Sequence, residues 1–330
     1  MSPDLSHRPD LPHKKDPWVI RLARTRGTFF LPAIVFVILA VGYYWAYSTA
    51  PPDPEYFTRI QIFGMLALYA CIPAYLLAAL FGIWRVAEEN TQVLRSQLNE
   101  SGLRLLGDIN QVPKWLWIAV VIGGVIGLSG FVAFREQMLA GLPIHYWSLV
   151  FGNTLVWLSV GYTFALRAPT TLTLFRLGRD GTNIAIHNQQ ALKPYANIAF
   201  RDMFAVIGAL ALMGLQSIDQ EIRWDNYAQG LIFGLPMAAM VFTLPLLGVH
   251  KAMKIARAKA LEQADKVITA ANQVSTTELE LLLSYRDRIK SISTWPLDMS
   301  AAYRIVLYLI IPPLAWVGAA LVENWISEYL

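Results

Sequence analysis

Five histidines, His7, His13, His145, His187 and His250, are the side chains best suited to hold a metal or move a proton near neutral pH, and they fall in five separate segments. None has a second ligand at the short helical spacing that would place two donors on one ion, so no metal site is expected. The chain has no Gly-Lys-Ser/Thr phosphate loop and no serine elbow, and its single cysteine, Cys71, has no histidine partner. It is therefore not expected to be an enzyme or to carry a cofactor. The "GRDG" at 178–181 reads as a turn, because Asp-Gly pairs are common turn formers.

Other residues have chemistry suited to an apolar solvent. Asn153, in "VFGNTLVWL", is the most polar side chain set within an apolar run, and it either lines a path or bridges two helices. In "YLIIPPLAW", Pro312 and Pro313 lack a backbone donor and free the carbonyls of Tyr308 and Leu309. In hydrocarbon such carbonyls are tolerated where other protein or a water-filled cavity satisfies them. Asn153, Tyr308, Pro312 and Pro313 are accordingly the candidate pore or hinge residues. Pro236 and Pro245 make a second kinkable segment. An ionisable side chain at mid-membrane would mark a relay or substrate site, and none is expected on this reading.

The elements that carry these residues are apolar runs near 29–48, 60–84, 115–134, 146–166, 203–218, 230–249 and 303–322. At about 20 residues per crossing they predict an all-α membrane protein of seven transmembrane helices. The composition agrees, with 55% hydrophobic and 15% charged residues and a mean hydropathy of +0.43. With the N-terminus inside, 24 Lys and Arg residues fall in the tail and in segments 85–114, 167–201 and 250–304. Only Arg59, Arg135 and Arg223 fall outside. That asymmetry predicts N-terminus in and C-terminus out at a cell membrane, the inner one in a Gram-negative cell. The small residues at 48–50 resemble a cleavage site, but Pro51 follows at once and the positive lead is long, so the first run is read as an uncleaved span. The net charge of +4 is accounted for by this orientation, with lipid headgroups and no nucleic acid as partners.

Four units follow: a cytosolic tail and interfacial helix at 1–28, a six-span bundle at 29–249 with cytosolic loops 85–114 and 167–201, a cytosolic helical hairpin at 250–300, and a last span with its outer tail at 301–330. In the tail, Asp16-Pro17 reads as a helix start. In the loop at 167–201, Leu172, Leu174, Ile184 and Ile186 alternate around Arg179-Asp180-Gly181 and predict a small β-hairpin. At 250–300, Met253, Ala256, Ala260, Ala264, Val267, Ala271 and Val274 draw a coiled-coil-like seam of small residues. Ser275-Thr276-Thr277-Glu278 starts a second helix. Gly123 and Gly127, and Gly230, Gly234 and Ala238, are small residues four apart that let helices approach.

The order of membrane span, cytosolic helix pair, Thr294-Trp295-Pro296 and a last span containing Pro312-Pro313 resembles a group of uncharacterised prokaryotic polytopic membrane proteins. In topology alone the plan is similar to the seven-span channels of the insect chemoreceptor type. These features together lead to an oligomeric membrane channel or channel-like receptor passing small ions, a homo-oligomer joined through its cytosolic helices. The alternative is a membrane-anchored scaffold or signalling subunit whose cytosolic helices bind a soluble protein partner.

Overall fold

The computed structural model describes residues 17–49, 58–107, 112–133, 144–182, 188–217, 224–270 and 276–295, with the isolated positions Tyr303, Leu307, Ile310, Leu314 and Gly318. Among them the chain is all-helical, without a strand. The helices are α1 (Trp18–Arg26), α2 (Phe30–Thr49), α3 (Arg59–Arg95), α4 (Glu100–Gly107), α5 (Leu116–Gly127), α6 (Ser129–Ala133), α7 (Ile144–Arg176), α8 (Lys193–Leu212), α9 (Trp224–Ala270) and α10 (Thr276–Ser291). Five stretches are long and apolar enough to cross a membrane: Phe30–Thr49, Arg59–Arg95, Tyr146–Gly181, Gln190–Gln216 and Gly230–Ala270. The chain is a multi-pass membrane protein by this measure. Large apolar side chains such as Trp117, Val121, Val125 and Val132 cover its outer surface, as hydrocarbon in place of water allows.

Two expected spans differ. The third, expected over 115–134, forms the 12-residue α5 and then the short α6. Glycines at 123, 124, 127 and 130 lower helix propensity there by up to about 1 kcal/mol each. At the break, the Phe131 amide donates to Leu128 O at 2.9 Å. The seventh segment, 303–322, lies outside the described residues apart from four helical positions that are apolar or aromatic, Tyr303 to Leu314, and Gly318. Tyr308, Pro312 and Pro313 are thus beyond structural description.

Contacts set the helix directions. Gly123 and Gly127 of α5 abut Trp157 and Thr154 of α7, and Gly161 abuts Ala119, so α5 and α7 are antiparallel. Tyr69 meets Gly152 and Leu80 clusters with Leu166, so α3 and α7 run the same way. Tyr75 Oη donates to Phe204 O at 3.1 Å while Gly82 lies beside Arg201, so α8 opposes α3. Gly234 fits against Leu210 and Gly230 against Met213, so α9 opposes α8. Both small-residue series are therefore helix contacts.

α3 is 37 residues and α9 is 47, about 55 and 70 Å at 1.5 Å per residue, against hydrocarbon about 30 Å thick. Both are longer than one crossing needs, and their surplus lies together at the end of the bundle expected to be cytosolic, the inner end. There Ala87, Leu94 and Leu98 of the α3 end pack with Leu174, Leu177, Tyr195, Ile198, Val249 and Met253 in a second core. α10 lies antiparallel on the end of α9, with Arg286 Nε on Asp265 Oδ1 at 2.5 Å and Arg257 Nη1 on Ile292 O at 3.1 Å. Of the small-residue seam, Met253 and Ala264 are buried and Val267 is exposed, while Ala271 and Val274 fall outside the described residues.

The expected β-hairpin is corrected. Its first arm, with Leu172 and Leu174, is the end of α7, which passes into a π-helical turn at Leu177–Gly181. Its second arm lies outside the described residues. The helix continues because Leu174 and Leu177 are fully buried in the inner core three residues apart, a helical and not a strand spacing. Gly181 meets the backbone of Gly102, where a Cβ on either residue would collide. Asn99 locks the turn, its amide donating to Gly181 O at 2.9 Å and its Nδ2 to Asp180 O at 3.0 Å.

α1 begins one residue later than a first-turn proline would place it, with Pro17 at the N-cap position. Val19 and Ile20 pack against Leu80, Phe81, Trp84 and Leu166, so its apolar side is covered by α3 and α7. Gly27, at φ 98°, takes the left-handed backbone that ends α1 and turns the chain into α2.

Candidate functional site

The structure brings together two charges that the sequence reading assigned to an aqueous loop and its edge. The fourth apolar run does not stop at 166 but continues through Arg167 to Arg176. The fifth starts with Pro194 in the first turn of α8, ten residues before its apolar stretch, which puts Asp202 in the interior of a 20-residue helix. Arg167 Nη2 and Asp202 Oδ2 meet at 2.8 Å, with side chains 4% and 2% exposed. The two side chains are therefore buried inside the helix bundle, where the sequence reading had placed them at water-facing positions.

Their depth follows from neighbours. Leu166 packs against Phe81, which is 22 residues beyond Arg59, about 33 Å along α3. The pair therefore sits near the level of α1, close to the end of the bundle at which α3 finishes. Thr163, Thr170 and Thr171 are buried in the same stretch of α7, and Thr171 Oγ1 donates to Arg167 O at 3.1 Å.

The ion pair is incompletely satisfied. Arg167 Nε and Nη1 and Asp202 Oδ1 are buried and have no hydrogen-bond partner among the described residues. A buried ion pair recovers its desolvation cost only when its remaining donors and acceptors are also bonded. Both residues line a cavity of about 150 Å³ between α3, α7, α8 and α9. Most of its wall is aliphatic or aromatic, including Leu68, Ile72, Val156, Val160, Ala209 and Phe233. Polar groups stand towards its two ends, with Arg167, Asp202 and Thr163 at one and Asn153 and Gln216 at the other.

Asn153 bridges two helices. Its Nδ2 donates to Gly127 O at 2.8 Å, bridging α7 to α5 at the point where α5 breaks, and the residue also lines the cavity. Of the histidines, His250 stacks on Trp295 at 4.4 Å, and its Nδ1 lies 3.2 Å from Thr294 O. That contact ties two of the three residues of the "TWP" segment to α9. His7, His13 and His187 lie outside the described residues, and for His145 only the backbone is described. Among the described residues no three His, Cys, Asp or Glu side chains converge on a possible ion site. Arg179 and Asp180 of "GRDG" pair with each other at 2.7 Å on the surface, with the Arg179 guanidinium over the Phe175 ring.

The signal for the ion pair was present but easily misread. Arg167 and Asp202 each border an apolar run, where a charge usually marks a span's end. Two opposite charges at the same depth on neighbouring antiparallel helices can neutralise each other, and then neither ends its helix. Comparison of the chain with protein-family models, with curated proteins and with solved structures gave no match.

Proposed function

We propose that this protein is a channel-like receptor of the cell membrane, crossing it seven times with its N-terminus inside, and that the cavity between α3, α7, α8 and α9 is its ligand site. The observation that carries this reading is the Arg167–Asp202 pair, buried in the cavity wall with donors and an acceptor unmatched. A buried ionisable pair with unmatched donors and acceptor is costly, and such groups are retained where a substrate or ion uses them. The alternating helix directions support successive crossings, and the cavity's small volume and mostly apolar wall suit a bound ligand better than a stream of ions. In this reading ions pass between copies of the chain, and the homo-oligomer is held together by its inner helices.

α7 links the site to the inner layer, because Arg167 and the π turn at Leu177–Gly181 lie on one continuous rod. Recording from the purified full chain in planar bilayers, with subunit number counted in the same preparation, tests the proposal. Unitary currents from an oligomer support it. A monomer that passes no current overturns it in favour of the second reading, a membrane-anchored signalling subunit for a soluble partner. That alternative draws its support from the separate core of the inner layer and from the exposed Leu281, Leu283 and Tyr285 of α10.

A further inference from the structure

We infer that the cavity's ligand is a neutral, single-chain amphiphile whose head group both accepts and donates a hydrogen bond. This deepens the receptor reading and rests on it only for the cavity being the ligand site. Arg167 and Asp202 neutralise each other, so an anionic or cationic head would add an unpaired charge to a buried, otherwise apolar space. A neutral head adds none.

Hydrogen-bond inventory narrows the head further. Arg167 Nε and Nη1 are unused donors and Asp202 Oδ1 is an unused acceptor among the described residues, on side chains that line the cavity, and a small side-chain shift on binding brings them to a head group. A guanidinium only donates and an ionised carboxylate only accepts. The matching head therefore presents an acceptor oxygen to Arg167 and an N–H or O–H to Asp202, as a primary amide or an alcohol does. A head with an acceptor alone would leave Oδ1 unmatched, and leaving a buried polar group unmatched is costly.

The shape of the wall sets the tail. From Asn153 to Arg167 the lining runs 14 residues along α7, about 21 Å, so the volume of about 150 Å³ is spread along a slot. A spherical cavity of that volume lined by aliphatic side chains takes a benzene-sized guest. Drawn out along a slot, the same volume suits a medium-length alkyl chain. Ala205 and Ala209 on α8 keep the slot open, since both are small and both line it.

The test is equilibrium binding of radiolabelled octanamide to the full chain in nanodiscs, with empty nanodiscs subtracted, and competition by octanoate and octane. Octanamide is expected to bind saturably at one site per chain, with octanoate and octane each weaker by about tenfold or more, the factor that corresponds to one lost hydrogen bond in a buried site. Ala209→Phe fills the slot and is expected to remove the saturable binding. Val156→Phe, on the facing helix, serves the same purpose if Ala209→Phe does not fold. Octane binding as tightly as octanamide, octanoate binding more tightly, no saturable binding, or binding unchanged in a folded slot-filling variant would each overturn the inference. Binding and conductance are separate readouts. Octanamide binding without current leaves the ligand and removes the channel, whereas current without octanamide binding leaves the channel and removes this ligand.

Discussion

Arg167 and Asp202 are the residues on which the functional reading turns, and their energetics differ from those of the chain's surface pairs. Arg85–Glu89 and Lys266–Glu262 are exposed pairs at helical spacing, which water screens so that they contribute little. Arg167–Asp202 is buried, and removing one partner strands the other. Asp202→Ala is expected to destabilise the protein by about 3 to 5 kcal/mol, while the double change Arg167→Met, Asp202→Leu costs far less because no buried charge remains. Thermal or denaturant unfolding of the parent and the two variants in detergent measures this. A double variant as unstable as Asp202→Ala would show that the pair's geometry, and not its uncompensated charge, holds α7 to α8. Asn153 acts at smaller magnitude, since interhelical side-chain hydrogen bonds in membranes average about 0.6 kcal/mol.

Helix contacts make a sharper prediction from three glycines of α5. A Cβ on Gly123 would collide with the Trp157 carbonyl and one on Gly127 with the Thr154 backbone. One on Gly124 would meet only Leu158 Cδ2, at 3.4 Å. Gly123→Ala and Gly127→Ala are expected to cost about 1 to 3 kcal/mol by forcing α5 off α7. Gly124→Ala is expected to be neutral, or stabilising by up to about 1 kcal/mol through helix propensity. Unfolding of the three single variants checks the order, and equal losses at all three would mean that propensity and not contact governs α5. The small-residue spacing of this pair of helices was legible in the sequence, because close approach needs small residues whatever the partner. That the break after Gly127 leaves its carbonyl to Asn153 of another helix was not, because a hydrogen bond between distant segments is set by their packing.

Across the whole molecule, topology and the last segment give two predictions. A reporter fused after Leu330 is expected on the non-cytoplasmic side and one inserted near Gly181 on the cytoplasmic side, from the placing of 24 of 27 basic residues. A cytoplasmic Leu330 would reduce the crossings to an even number. Replacing Pro312 and Pro313 with Ala restores two backbone donors. If the pair is a hinge, the double variant is expected to fold and assemble but to lock its conductance or signalling output in one state. The His250–Trp295 stack, which ties the chain before these prolines to α9, would be the fixed side of that hinge. A double variant that works like the parent would make the prolines a static kink.

Helical class, membrane residence and the contact glycines could be read directly from the chain, because hydropathy and residue size are local properties that a bilayer acts on segment by segment. The same locality explains the errors. Periodicity at 172–186 is compatible with a hairpin, yet Leu174 and Leu177 became helical because a core formed from α3, α8 and α9 lay on one side of them. A charge bordering an apolar run marks a span's end when it meets water and extends the span when it meets its counter-charge. Whether Arg167 met Asp202, 35 residues apart in the chain, could be settled only by the packing of α7 and α8 on the same two helices, α3 and α9, which brings the two side chains within reach. The cavity beside them is likewise a property of four helices together, and no single segment's sequence contains it.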